Sequence, residues 1–211
     1  MTIIDISPRL SSDIDVWPGD VPYRPKKSMR IDDGAHMDLG SLETTYHVGA
    51  HLDAPNHFHQ GGADAAGIPL DACFGPCQVI GVDVGRGERI TPAHLAEPVS
   101  APRVLFKTGT FPDPQTWNND FAALSRPLID HLAACGVRLV GIDTPSIDLF
   151  HDKALEAHHA VAEFGLVNLE GIVLDHVEPG TYTLCALPLP LVGADASPVR
   201  AVLMPPSATG M

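Results

Sequence analysis

Twenty prolines and nineteen glycines are spread along the whole chain. They call for many turns and irregular loops and leave room only for short elements. Apolar residues make up 45% and charged residues 18% of the 211 positions, the composition of a chain that folds around a core. That length suits one domain spanning 1–211, since no linker-like stretch or repeat divides it. The formal net charge is -13, and no Lys/Arg cluster offsets it. Such a chain repels phosphate backbones and anionic lipid surfaces, so neither nucleic acid nor membrane is an expected partner. No apolar run reaches membrane-spanning length. Met1 to Leu10 lacks a basic start followed by an apolar stretch, so the expected compartment is the cytoplasm. The four cysteines, Cys73, Cys77, Cys135 and Cys185, lack the tight spacing of a zinc site and read as reduced thiols.

Short strands alternate only partly with helices. Thr2 to Ile6, Gly75 to Val84, Arg103 to Thr108, Val137 to Ile142, Leu166 to Val173, Gly180 to Ala186 and Val199 to Leu203 read as strands. Ser125 to Cys135 and Asp152 to Phe164 read as helices stopped by Gly136 and Gly165, because their apolar positions recur at helical spacing. Thr91 and Pro92 open a further short helix. Several strands follow one another directly. The expected fold is therefore α/β, a mixed and curled β-sheet with flanking helices rather than a regular doubly wound one.

The chemistry concentrates in Tyr46 to His59, YHVGAHLDAPNHFH, which holds four of the eleven histidines. His47, His51, Asp53 and His57 follow the spacing H-x3-H-x-D-x3-H. Imidazole and carboxylate are ligands that suit zinc or manganese. In a straight strand His47 and His51 would lie about 13 Å apart, whereas two imidazole nitrogens on one cation lie within about 4 Å of each other. A helix would bring the pair together, but Gly49 weakens one and Pro55 ends it. The segment is therefore expected to be a bent loop that turns at Gly49 and stiffens at Pro55. Three ligands from one loop leave open coordination positions, the mark of a catalytic site. The bland alternative is a set of unrelated surface histidines.

A second cluster lies at Ala157 to Ala160, AHHA, with Glu170 twelve residues after His158. On the expected helix, His158 shares a face with Leu155, while His159 turns elsewhere. Glu170 lies among Val167, Leu169, Ile172 and Val173, where a carboxylate is costly to bury unless paired or metal-bound. An exposed glutamate at a strand end is the other reading. Asp143 ends a strand, where it either supports a metal-binding histidine or caps a turn. No G-x-S-x-G occurs, so a serine nucleophile has no support. Ser146 and Ser197 read as turn residues beside proline.

HVGAHLDAPNHF (47–58) resembles the signature of the cyclase-like metal-dependent hydrolases. GIDTPSID (141–148), KALEAHHAV (153–161), NLEGIVLD (168–175) and DASPVRAVL (195–203) are similar to the bacterial kynurenine formamidases, or arylformamidases, in particular. WPGD (17–20) and PLDACFGPCQVI (69–80) fit the same group. The likeness runs from about Asp5 to Leu203. It implies an α/β domain of the swivelling β/β/α type with a central curled sheet, a homodimer, and two divalent cations, zinc in both positions. His47, His51 and Asp53 would bind the first cation. Asp53 and Glu170 would bridge to a second, completed by His158. His57 would be the proton donor and acceptor, and Trp17 would line the substrate pocket, although Trp17 beside a turn also fits ordinary packing.

The reaction implied is hydrolysis of a small aryl formamide, N-formyl-L-kynurenine, to formate and L-kynurenine. An amide demands a strong nucleophile and a stabilised oxyanion, which two adjacent divalent cations supply. Manganese suits the same ligands as zinc. Asn56 and the Ala35 to Thr45 segment depart from the formamidase pattern. They keep a second reading open, a related lactam hydrolase such as an isatin hydrolase. A non-catalytic metal-binding protein is the third.

Overall fold

The computed structural model describes residues 2–206. In chain order the strands are β1 (Ile4–Asp5), β2 (Arg24–Met29), β3 (Leu39–Glu43), β4 (His51–Asp53), β5 (Phe74–Gly81), β6 (Arg89–Ile90), β7 (Arg103–Lys107), β8 (Ala123–Leu124), β9 (Leu139–Ile142), β10 (Val167–Glu170), β11 (Gly180–Cys185), β12 (Ala196–Pro198) and β13 (Val202–Met204). The α-helices are α1 (Arg126–Ala134) and α2 (Glu156–Phe164). Nine strands form one mixed sheet in the order β1-β13-β11-β5-β7-β9-β10-β4-β12. Its centre, β5-β7-β9-β10, is parallel, and antiparallel strands flank it on both sides.

The centre is apolar on both faces, as a parallel sheet covered on both sides requires. Along β7, Val104 and Phe106 join the cluster of Leu128, Ile129 and Leu132 from α1, while Leu105 joins the opposite cluster with Leu52, Leu169 and Leu184. Along β9, Val140 and Ile142 take the helix side and Leu139 the other. Thus the period of two in the strands sorts one core into two layers.

β12 and β13 lie far apart in the strand order, yet only three residues link them. A link of that length spans at most about 14 Å, so the sheet must curl until its two ends approach. Val199 N–H donates to Ala50 O at 2.9 Å, and Ile6 N–H donates to Ala201 O at 3.0 Å. The first bond extends the β12–β4 end and the second the β1–β13 end, and Val173 N–H, just beyond β10, donates to Ile6 O at 2.8 Å between them, closing a half-barrel. The expected α/β architecture with a mixed, curled sheet is the one observed.

Some boundaries differ from the sequence reading. The expected strand Val199 to Leu203 begins only at Val202, and Ser197, read as a turn residue, sits in β12. The expected helix from Asp152 begins at Glu156, because Leu155 takes a left-handed conformation at φ 48. Asp148 sets that start by accepting the Ala157 and His158 N–H groups at 3.2 and 3.1 Å. The helix at Thr91 is one 3-10 turn, Pro92–His94. The β2–β3 hairpin had no apolar alternation to announce it. Its residues are almost all exposed, and it carries the ion pairs Lys26–Glu43 and Lys27–Asp38. No helix among the described residues is long and apolar enough to cross a membrane.

Candidate metal centre

β4 presents His51 and Asp53 on one face and sends Leu52 into the core between them, as strand alternation demands. Glu170 pairs directly with His51 across the β10–β4 ladder. Asn168, two residues earlier in β10, points the same way. α2 packs beside β10 and contributes His158, which is buried, while His159 is exposed. His47 arrives from the turn before Gly49, whose φ is +61. Gly171, at φ +65, lets the two backbones touch: a Cβ there would stand 2.2 Å from Gly49 O. The bend expected at Gly49 therefore has a second glycine as its seat.

These elements converge their side chains. His47 Nδ1 and His51 Nε2 lie 3.1 and 3.5 Å from Asp53 Oδ1. His158 Nε2 lies 3.3 Å from both Asp53 Oδ2 and Glu170 Oε1, and His51 Nε2 lies 3.3 Å from Glu170 Oε2. A potential ligand group of His47, His57 and Asp195 sits at the rim, and two deeper ones are formed by His47, His51 and Asp53 and by Asp53, His158 and Glu170. Asp53 belongs to both deeper groups, and each of the two buried carboxylates turns one oxygen toward each of them.

The donor set fits divalent cations. His51 Nε2 and Asp53 Oδ1 are buried and have no hydrogen-bond partner in the protein, a cost of about 1–3 kcal/mol each if nothing satisfies them. Their neighbours are close without being aimed at them, as ligands directed at a common point are. Separations of 3.1 to 3.5 Å fall within the roughly 4 Å that ligands of one zinc ion allow. The remaining nitrogens are already engaged. His51 Nδ1–H donates to Gly49 O at 2.9 Å, and His158 Nδ1–H to Asp148 Oδ2 at 2.8 Å. Both hold the Nε2 lone pair toward the centre, the arrangement that orients ligating histidines.

The electrostatics agree. Burial alone would raise Asp53, but the imidazoles of His158 and His47 hold it well below its ordinary range. Burial and the Asp53 charge push Glu170 up, yet His158 and His51 bring it down overall. Burial opposes charge on His47, but its contact with Asp53 takes it up to about 9. His158, likewise desolvated, is carried well above its usual value by Asp148, Asp53 and Glu170. Without a cation the surrounding carboxylates favour the charged forms of His47 and His158, so the pocket suits positive charge.

Three residues that shape this centre had no assigned role in the sequence reading. Asn168 Nδ2 donates to Asp53 Oδ2 at 2.8 Å and to Glu170 Oε1 at 3.1 Å, fixing both carboxylates. Asp148 orients His158 and is itself held by Arg89 at 2.8 Å. Asp195 reaches His47 and His57 from the other side. The only sequence signal was that Asn168 shares Glu170's strand face. Asp143 accepts hydrogen bonds from Thr108 and Gly109, so of its two readings the turn cap is the one observed. Asp148→Asn is expected to weaken metal binding by His158's group about 10–100-fold. Titration of the metal-free protein against a zinc chelator would measure this, and an unchanged affinity would exclude the orienting role.

A cavity of about 310 Å³ opens over the cluster. His57, on the one-turn 3-10 helix Pro55–His57, stands at its wall with His158 and Glu170. Trp17, 36% exposed, lines it and also packs on Phe150 at 4.9 Å and Trp117 at 5.4 Å. Trp17 thus borders the cavity and is packed as an ordinary aromatic at the same time. Trp117 and Phe111 extend the aromatic wall.

The curled mixed sheet is shared with solved metal-dependent hydrolases of the cyclase type, and the His/Asp/Glu cluster suits a metal-dependent hydrolase. The Cyclase family model matches residues 4–149, and the chain belongs to that family. Among solved structures, one described as a "Potential Metal-Dependent Hydrolase With Cyclase Activity" is 28% identical, with a TM-score of 0.80 and 96% of each chain covered. A "predicted metal-dependent hydrolase from Bacillus stearothermophilus" is 27% identical, with a TM-score of 0.79 and 96% of this chain and 97% of that one covered. Isatin hydrolase A from Labrenzia aggregata, bound to benzyl benzoate, shares the fold at 24% identity and a TM-score of 0.81, covering 97% of this chain and 93% of that one.

Proposed function

We propose that this chain hydrolyses small aryl amides in a metal-dependent reaction, with N-formyl-L-kynurenine as substrate and formate and L-kynurenine as products. The observation that carries the reading is the pair of ligand groups sharing Asp53 beneath an aromatic-walled cavity. His47, His51 and Asp53 hold one divalent cation, and Asp53, His158 and Glu170 hold the other, zinc or manganese by ligand type. Bound cations supply a nucleophile near neutral pH, by lowering the pKa of water from about 15.7 toward ~7, and polarise the scissile carbonyl. His57 accepts a proton at the cavity wall and returns one to the aryl nitrogen as its bond to the acyl carbon breaks. Trp17 and Trp117 offer flat apolar faces to the aryl ring. The protein acts as a homodimer in the cytoplasm.

One observation favours a second substrate. Among the described residues no Lys or Arg lines the cavity, so the carboxylate of an amino acid meets no guanidinium or ammonium partner there. An uncharged aryl lactam such as isatin needs no such partner, and an isatin hydrolase is among the proteins of this fold. Assaying N-formylkynurenine and isatin side by side, before and after chelation and after add-back of zinc or manganese, tests both. Activity is expected to vanish on chelation and return with metal. Activity that survives complete metal removal overturns the mechanism, and the preferred substrate decides between the readings.

A further inference from the structure

We propose that Asp195 is a positioning residue that fixes the ring orientation of His47 and His57 together. This rests on the reading of His57 as the group that moves the proton. Asp195 immediately precedes β12, which pairs with β4 so that Ala196 faces Asp53. Its carbonyl accepts the Ala54 N–H at 2.9 Å, so its backbone is tied to the end of the ligand strand. From that anchor a single oxygen, Oδ2, lies 3.3 Å from His47 Nε2 and 3.3 Å from His57 Nδ1. The two imidazoles stand 4.3 Å apart, centroid to centroid, at 44°.

A carboxylate oxygen only accepts, so both nitrogens must present N–H to it. His47 then carries its proton on Nε2, leaving Nδ1 as a lone-pair donor 3.1 Å from Asp53 Oδ1. His57 carries its proton on Nδ1, leaving Nε2 as the free base. Among the described residues Asp195 is the only side chain that holds the His57 ring by a hydrogen bond. The side chain is about one-third exposed on a single 3-10 turn, so little else stops the ring from turning over. One carboxylate thereby selects complementary tautomers on a metal ligand and on the neighbouring base.

Long-range proton–nitrogen NMR of the zinc-loaded protein reads imidazole tautomers directly. Wild type is expected to show His57 protonated on Nδ1 and His47 on Nε2. In Asp195→Ala the His57 pattern should shift to Nε2–H or to a mixture. At saturating zinc, bound zinc per chain should stay unchanged, and kcat should fall roughly 10–100-fold at constant KM, as for loss of an orienting partner. Asp195→Asn, which keeps an acceptor oxygen and the shape, should recover most of both; Asp195→Leu, close in size but with no acceptor, provides the measurement if the alanine variant folds poorly. Wild-type tautomers in a folded variant that lacks the acceptor, Asp195→Ala or Asp195→Leu, overturn the proposal. So does the loss of one zinc ion per chain, which would make Asp195 a ligand with His47 and His57. If wild-type activity resists chelation, the functional reading fails instead, and the tautomer result still judges Asp195 by itself.

Discussion

Asp53→Asn is expected to cost the protein both cations and its hydrolytic activity while leaving the side chain's shape unchanged. Asp53 is the one carboxylate common to both ligand groups, with Oδ1 toward His47 and His51 and Oδ2 toward His158. An asparagine must direct its oxygen to the Asn168 amide, now 2.8 Å from Oδ2, which turns its NH2 toward the lone pairs of the first group. Metal affinity should fall by more than the roughly 100-fold typical of an orienting residue. Loss of carbonyl polarisation alone is worth about 10²–10³-fold, so turnover should drop at least that far. The metal-free protein should also lose stability. Asp53 is the partner of protonated His47 and His158, and removing one member of a buried pair costs about 3–5 kcal/mol. The sign with pH follows from His47. Its pKa in the folded chain is raised from 6.5 to about 9, so its pairing stabilises fully below about 6.5 and fades as pH rises through about 9. Urea melts of metal-free wild type and variant should therefore differ more at pH 6 than at pH 10. Full metal occupancy in Asp53→Asn would refute the shared-ligand assignment.

The parts of this centre that local rules govern were legible in the sequence. Gly49 and Pro55 announced a bend, and the two-residue spacing of His51 and Asp53 made them neighbours on any extended piece. Helix geometry put His158 and His159 on different faces, the family likeness chose His158, twelve residues before Glu170, and the apolar surroundings of Glu170 marked a carboxylate that needed a partner. The residues that steady the ligands were not legible. Asp148, Asn168 and Asp195 are residue types that serve equally in turns and caps, and only the folded chain brings Asp148 to His158 or Asp195 to His57. The short reach of 199–201 had the same effect on fold. Val199 to Leu203 read as one strand, whereas closing the curled sheet requires a crossing between its two ends. Leu155 shows tertiary override in its plainest form: a residue with good helix propensity is held left-handed because Asp148 caps the helix one residue later.

His57→Ala is expected to lower kcat by about 10²–10⁴-fold, the usual worth of a positioned general acid–base, with metal content and KM nearly unchanged. The separation of effects comes from where His57 stands. It belongs to neither ligand group sharing Asp53, since its ring nitrogen contacts Asp195 rather than Asp53 or Glu170. Its centroid is 6.2 Å from that of His158, and it lines the cavity. Removing a one-third-exposed ring from a single 3-10 turn should change stability by less than about 0.5 kcal/mol, so a folding defect will not mimic the catalytic one. Added imidazole should restore part of the rate, because the missing ring leaves a space open to the cavity. The decisive comparison pairs kcat with metal analysis on the same preparation. A variant that loses turnover and metal together would place His57 among the ligands, and one that keeps wild-type turnover with full metal would leave proton transfer to another group.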